Sequence, residues 1–495
     1  MILEGGVGGI CSPFFIEVFY MDSYLFYDIE TTGLNKAFDQ VLQFAAIRTD
    51  KELNKIDEHV IYIKLRQDVI PSPMAMITHQ IPISQCDAGI EEYAAFKKIH
   101  NLLNKPGTIS VGYNTLGFDD EFLRFSFYRN LLTPYTHQFL KGCGRMDILP
   151  MAVMYRLYKP HVLVWPEVDG KPSMKLENIN AGNLLVAGRS HDAMVDVEIT
   201  LELARILYNE RKMWDYLLGY FCKKTDLQRI NKFPVSFTSK AGEHTYAILV
   251  DNKIGGKLKY QSLVLGLGNS IPYSNQTLWL RLDLPDLQDV NSENLQEKTW
   301  VVRKRAGEPG ILLPPEKRFL STLTESSRNI AEQNLNWLRE NKKIFQEIVR
   351  FYREFSYPAI PDQDLDAALY SNGFMSKRDL VLCQKFHKEN FDGKIELINK
   401  FQDKTTKMMA CRLLLRNFHR KTIPDYIGAE YYSFLKKAHT LSDDERLVDY
   451  KGTKRTALSN VIKEINELTE NNKDIEQLAI LKELKKYLNV HEQET

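Results

Sequence analysis

Hydrophobic and polar positions along the first third of the chain fall into short, distinct patterns. Residues 24–30 (YLFYDIE), 40–49 (QVLQFAAIRT) and 57–65 (DEHVIYIKL) are apolar-rich runs divided by brief polar links. They predict three strands in an antiparallel meander. A proline-bearing loop follows, with Pro71 and Pro73. Residues 91–104 (EEYAAFKKIHNLLN) then place apolar side chains at helical spacing, and TISVGYN (108–114) predicts a fourth strand. The stretch DDEFLRFSFYRNLL (119–132) predicts a helix with an acidic first turn, as the helix dipole favours. A long helix is expected over 192–210. This order of strands and helices predicts a mixed α/β layer domain.

The texture changes after about residue 213. TYAILVD (245–251), KLKYQSLVLG (257–266), TLWLRLD (277–283) and TWVVRKR (299–305) predict the strands of a small β-barrel. From residue 326 or so the spacing turns helical, through SRNIAEQNLNWLREN and KIFQEIVRFYREF. SYPAIPDQD (356–364) reads as a linker, and the remainder as amphipathic helix of mixed charge, with no internal repeat. The expected domains are 21–212, 213–357 and 358–495. Residues 1–20 are apolar but carry an acidic residue and four glycines where a signal peptide needs Lys or Arg. They read as a disordered extension, with Met21 as a candidate start.

Composition narrows the function classes. A chain of 495 residues suits roughly three domains. Lys+Arg (65) balance Asp+Glu (64), so a nucleic-acid partner must be held by local basic patches rather than by net charge. The six cysteines form no C-x-x-C pair. That argues against a zinc module or a disulfide framework and fits a reducing cytoplasm. No apolar run approaches the roughly 18 residues of a membrane helix.

The chemistry begins in FYDIETTGL (26–34). In a strand, Asp28 and Glu30 point to the same face. Burying two unpaired carboxylates together is costly. A divalent cation between them removes the cost, and Mg²⁺ prefers one or two protein carboxylates with room left for water and phosphate. Taken alone, the tripeptide is as readily a solvent-facing D-x-E. Downstream residues decide. Asp119 follows Phe118 at a helix start just after a strand, where an acid is partly stabilised; Asp120 beside it reads as a helix-capping residue. In SHDAMVDVEITLELA (190–204), His191 lies near the start of the long helix and Asp196 about one and a half turns on. Each could be an ordinary surface or first-turn residue. Together, Asp28, Glu30, Asp119, His191 and Asp196 fit a two-metal phosphodiester hydrolase, with ions about 4 Å apart and a histidine able to take a proton from water.

In order and spacing this set resembles the DEDDh group of 3′→5′ exonucleases, which has an RNase H-like fold. DIETTGL is widespread there and selects no member. QFAAIRTD (43–50), FYRN (127–130), WPEVDGKPSMKLENI (165–179), HDAMVDV (191–197), MWDYLL (213–218), WLREN (337–341), ALYSNGF (368–374) and LLLRNF…IPDY (413–426) resemble bacterial exodeoxyribonuclease I over nearly the whole chain from Met21. The resemblance implies an RNase H-like exonuclease domain with a mixed sheet, then an SH3-like barrel and an all-helical C-terminal domain, closing a ring around the strand. It implies processive 3′→5′ degradation of single-stranded DNA to 5′-mononucleotides in DNA repair. It makes Asp28, Glu30 and Asp196 metal ligands for two Mg²⁺ ions, or Mn²⁺, with Asp119 completing the site and His191 as general base. Glu30, Lys175 and Arg124 match substrate-binding positions; the family often has Arg where Lys175 stands, which keeps the charge without the bidentate fork. It implies one protein partner, the acidic tail of single-stranded DNA-binding protein, at positions matched by Lys159, Tyr216 and Arg339. A monomer is expected.

The residues themselves agree on the substrate. A strand-binding groove needs basic side chains and aromatic platforms. RKR (303–305) and RLLLRNFHRK (412–421) are candidates, although the latter is equally a helix with one solvated basic face. Two rival functions remain, a catalytically silent DNA- or protein-binding scaffold and an RNA 3′→5′ exonuclease. The intact set of five residues argues against the first.

Overall fold

The structure is a computed structural model. It describes residues 21–189, 191–418, 423–440 and 445–493; the expected 1–20 extension, Cys11 and residues 419–421 of the basic run lie outside these. The N-terminal sheet contains β1 (Ser23–Thr31), β2 (Val41–Thr49), β3 (Lys55–Tyr62), β4 (Thr108–Gly112) and β5 (Gly144–Asp147), ordered β3-β2-β1-β4-β5. The predicted meander is present: β1–β2 and β2–β3 are antiparallel. β4 and β5 then add in parallel. β5 was not anticipated, because four residues reading GRMD carry no strand pattern.

β1 is central and its two faces meet different helices. Leu25, Tyr27 and Ile29 pack with Phe96, Ile99, Phe122 and Phe127 from helices Glu92–Leu103 and Asp119–Arg129. Tyr24 and Phe26 pack on the other side with Met151, Val197, Leu201 and Ala204 from helices Ile148–Tyr158 and Ala193–Tyr208. Period-two alternation therefore continues the Tyr24–Phe26 face into Asp28 and Glu30.

The proline-bearing stretch is not a loop throughout. It contains helices Pro73–His79 and Ile83–Asp87. Pro73 sits in the first turn, where a missing N–H leaves no hydrogen bond unmade.

The four strands expected after residue 213 are present, and two more, Val235–Ser239 and Ile311–Leu313, join them in a six-stranded antiparallel sheet. Its path runs Val301–Arg305, Gln276–Arg281, Gln261–Asn269, Gly242–Val250, Ile311–Leu313, with Val235–Ser239 also pairing to Gly242–Val250. Residues 257–260 are not extended. Gly256–Leu258 is a 3₁₀ turn, and Lys259 and Tyr260 take positive φ of 52° and 60°. Beyond the linker, helices Lys377–Phe386, Phe391–Ile398, Lys404–Asn417, Asp425–Ala438, Leu458–Asn471 and Ile475–Gln493 build the C-terminal third.

The cores cross the expected domain boundaries. Leu42, Ile77 and Ile81 share one cluster with Leu458, Val461, Leu481 and Leu484. Phe38, Tyr93 and Phe125 share another with Phe386, Leu413 and Phe434. Between these clusters lies a buried ionic network. Arg66 pairs with Asp68 at 3.1 Å and Glu92 at 2.5 Å. Arg129 pairs with Glu92 at 3.1 Å, and Arg416 with Asp68 at 3.2 Å and with Asp366. Arg412 pairs with Asp364 at 2.8 Å and Glu430 at 3.0 Å. For the described part of RLLLRNFHRK, this corrects both readings. Arg412 and Arg416 are neither a DNA groove nor a solvated face; they are buried and fully paired. In RKR, Lys304 is likewise buried, on Asp226 at 2.8 Å.

Candidate active site

The last residues of β1 outrun its parallel neighbour. Pairing with β4 ends at Phe26–Val111, whereas β1 continues to Thr31. The backbone of Ile29 is thus left without a partner on that edge, and the Asp119 carboxylate accepts its N–H. On the antiparallel side, Asp28 stands opposite Ala45, whose methyl leaves room above the sheet, and Glu30 opposite Gln43. A register shift follows between Glu30 and Thr31, a feature common beside active sites.

Asp119 opens helix Asp119–Arg129 and is 6% exposed. Its approach is set by Asp147, whose carboxylate accepts from the N–H groups of Asn114 (2.8 Å) and Leu116 (3.3 Å) while capping the next helix through Leu149 (3.0 Å). Asn114 takes φ 63° at the turn, a conformation asparagine tolerates better than most side chains. Helix Ala193–Tyr208 packs across β1 and β2. Asp192 caps it by accepting from Met194 N–H at 3.0 Å, which puts Asp196 in the first turn facing β1. Glu30, His191 and Asp196 each bring a ligand atom within 4.8 Å of the others.

All five expected residues therefore converge, and their electrostatics is one-sided. Burial pushes the Asp28 carboxyl well above the usual range, and Asp119, Glu30 and Asp196 push it further. Burial and the neighbouring acids raise Glu30 to about 9 and Asp119 to about 8. Asp196 rises to about 6, mainly through burial, with His191 and its N–H opposing. Carboxylates so placed are disfavoured as anions until a cation joins them. Hard oxygen donors and one imidazole, with room between Glu30, His191 and Asp196, are a donor set that fits a divalent ion.

The outer residues divide. Lys175 stands at the N-terminus of helix Leu176–Asn183 with its side chain 71% exposed, 3.3 Å from Glu177, and is open to a phosphate. Arg124 is 4% exposed and committed to Asp120 (2.7 Å) and Glu121 (2.5 Å), so a DNA contact would have to break those pairs. Lys159 pairs with Glu210 at 3.0 Å, and Tyr216 bonds Tyr220 at 2.9 Å beneath the Arg229 guanidinium. Arg339 lies over Phe237 and donates to Ser236.

Asp120 corrects another expectation. It caps nothing; fully buried, it accepts from His137 (2.9 Å), Arg145 (2.6 Å) and Arg124, which hold its carboxyl far below the usual range. Asp147 was missed altogether, although an acid directly before an apolar helical run (RMDILP) is an N-cap signal.

Comparison with known proteins places this geometry. Residues 25–204 match the family model described as Exonuclease, and 363–491 the Exonuclease I C-terminal domain. Exodeoxyribonuclease I of Escherichia coli (strain K12) is 31% identical over 378 residues, covering 72% of this chain and 77% of that protein. The structure superposes on the crystal structure of E. coli exonuclease I in complex with a dA16 oligonucleotide with a TM-score of 0.81, 25% identity, and coverage of 95% of this chain and 100% of that one. It superposes at 0.80, with 25% identity and coverage of 95% and 99%, on a zinc-bound form of an E. coli exonuclease I–single-stranded DNA complex. The likeness runs through the acid-lined end of β1 and the helices beyond residue 363 alike, and the chain belongs to the exodeoxyribonuclease I family.

Proposed function

We propose that this protein is a metal-dependent exonuclease that degrades single-stranded DNA processively from its 3′ end, releasing 5′-mononucleotides, in DNA repair. The observation that carries the reading is the meeting of Glu30, His191 and Asp196 within 4.8 Å beside half-buried Asp28 and buried Asp119. Asp28, Glu30 and Asp196 hold the metal, Mg²⁺ or Mn²⁺, as two ions. Bound there, it supplies positive charge to the attacking and leaving oxygens of an in-line displacement.

The chain's own groups do the rest. His191, in its neutral form, takes the proton of the attacking water at a ring nitrogen. Asp119, oriented by the Ile29 N–H, completes the acidic wall and keeps that backbone amide satisfied. Lys175 meets a substrate phosphate. The six-stranded sheet and the C-terminal helices enclose the strand, and a monomer suffices. Lys159, Tyr216 and Arg339 receive the acidic tail of single-stranded DNA-binding protein. Among the described residues no helix is long and apolar enough to cross a membrane, which accords with a cytoplasmic enzyme.

The test is digestion of a 5′-labelled single strand with Mg²⁺. The wild-type chain shortens it from the 3′ end, and Asp28→Ala leaves it intact while keeping a native circular-dichroism spectrum. Full activity in that variant, or strand binding without nucleotide release by the wild type, overturns the reading.

A further inference from the structure

The segment that carries His191 is held in a demanding conformation. His191 has φ 63°, the left-handed region. For a side chain other than glycine this conformation is strained and persists only where the surroundings impose it. Three contacts impose it here. On the far side, the His191 N–H donates to Asp196 Oδ2 at 3.3 Å. On the near side, Gly188 lets the chain press against helix Ala193–Tyr208; a Cβ there would stand 2.9 Å from both γ-carbons of Val195.

The third contact points away from the acids. Arg189 Nη1 donates to Gln80 Oε1 at 2.6 Å, and Nη2 to the His79 carbonyl at 3.0 Å. Gln80 is the C-cap of helix Pro73–His79, at φ 57°, with its N–H bonded to the Met76 carbonyl. His79 is buried and accepts from the Ile81 N–H at 3.0 Å. Met76, Ile77 and Ile81 anchor this helix end in the cluster shared with Leu481 and Leu484. Arg189 thus ties the backbone just ahead of His191 to a point fixed by the core.

We propose that Arg189 is a positioning residue: clamped by Gln80 and the His79 carbonyl, its guanidinium fixes the chain two positions ahead of His191, so that the His191 imidazole stays at the acid cluster. The inference rests on His191 acting as the base. A direct phosphate contact is the competing role, since Arg189 lies near enough to Glu30 to favour its ionised form. Both terminal nitrogens are, however, already committed to protein acceptors.

Steady-state kinetics on single-stranded DNA separate the two roles. With Mg²⁺ present, Arg189→Ala is expected to lower kcat about tenfold, the scale of one charge-assisted hydrogen bond, while KM and the thermal midpoint stay near wild type. Gln80→Ala falls less, the double variant no further than Arg189→Ala, and Arg189→Lys recovers part of the loss. A raised KM with kcat unchanged, additive losses in the double variant, or wild-type kinetics in Arg189→Ala overturns the proposal. His191→Ala, measured alongside, tells the two failures apart. If it retains full activity, the assignment of the base falls. If it is inactive while Arg189→Ala behaves as wild type, only the clamp falls.

Discussion

Asp28 and Glu30 form a pair that the fold tolerates at a cost. Unfolded, such carboxyls ionise near pH 4. Folded and without metal, Glu30 holds its proton to about pH 9, Asp119 to about 8 and Asp196 to about 6. Because the folded values are raised, the stability these groups contribute is complete below about pH 4 and is lost as pH climbs toward 9. Two results follow for metal-free protein. The thermal midpoint of wild type falls relative to Glu30→Gln between pH 5 and 9, and at pH 8 the variant is the more stable although inactive. Added Mg²⁺ narrows the gap by stabilising the wild type. A Glu30→Gln midpoint that tracks wild type at every pH, read by differential scanning calorimetry, contradicts this. The convergence of the five candidate residues was legible because two-residue strand spacing, a helix start and a first-turn acid are each local patterns. Asp120 was not. A first-turn acid reads the same whether it caps or is buried, and its partners His137 and Arg145 lie 17 and 25 positions away.

Helix Lys404–Asn417 shows the same limit for a whole element. Its basic positions suggested a DNA-facing surface, yet Arg412 and Arg416 point into acids from distant segments; Asp68 is 348 positions from Arg416. Nothing in a helix's own spacing tells a solvated arginine face from one matched by buried carboxylates. The network makes a firm statement about energy. Removing one member strands a buried charge, so Asp366→Ala is expected to cost about 3–5 kcal/mol in urea unfolding. Arg416→Ala should cost a similar amount, and the double variant less than the sum, because the two share one pair. Additive losses, or losses of a few tenths, would mean the pair is solvated. Helix Pro73–His79 was hidden for a different reason: two prolines in three residues read as a loop, and only a proline in the first turn is compatible with a helix.

At the scale of the molecule, strand and helix patterns gave the three-part order and a mixed α/β N-terminal layer. They did not show that the parts share cores. Leu42 and Ile77 are covered by helices more than 370 residues later, and Met151 and Leu207 lie in one cluster with Ile248 and Leu338. Sequence periodicity marks which face of an element is apolar, not which distant element will cover it. Shared cores predict that the chain melts in one cooperative calorimetric transition rather than in two or three; resolved separate transitions would return independence to the domains. The same docking joins the acid site to the parts proposed to enclose the strand. The Asn35 side chain, in the loop after β1, donates to Asp449 at 2.9 Å. Helix Pro73–His79, which receives Arg189, rests on the C-terminal helices.

The most direct test sets matched DNA and RNA single strands, each 5′-labelled, before the wild-type protein and Asp28→Ala with Mg²⁺. The wild type is predicted to shorten the DNA from its 3′ end, one nucleotide at a time and faster than the RNA, and the variant to leave both intact. RNA turned over faster than DNA, or DNA shortened equally by the variant, would contradict the assignment of Asp28, Glu30, Asp119, His191 and Asp196 as the site of a single-stranded DNA exonuclease.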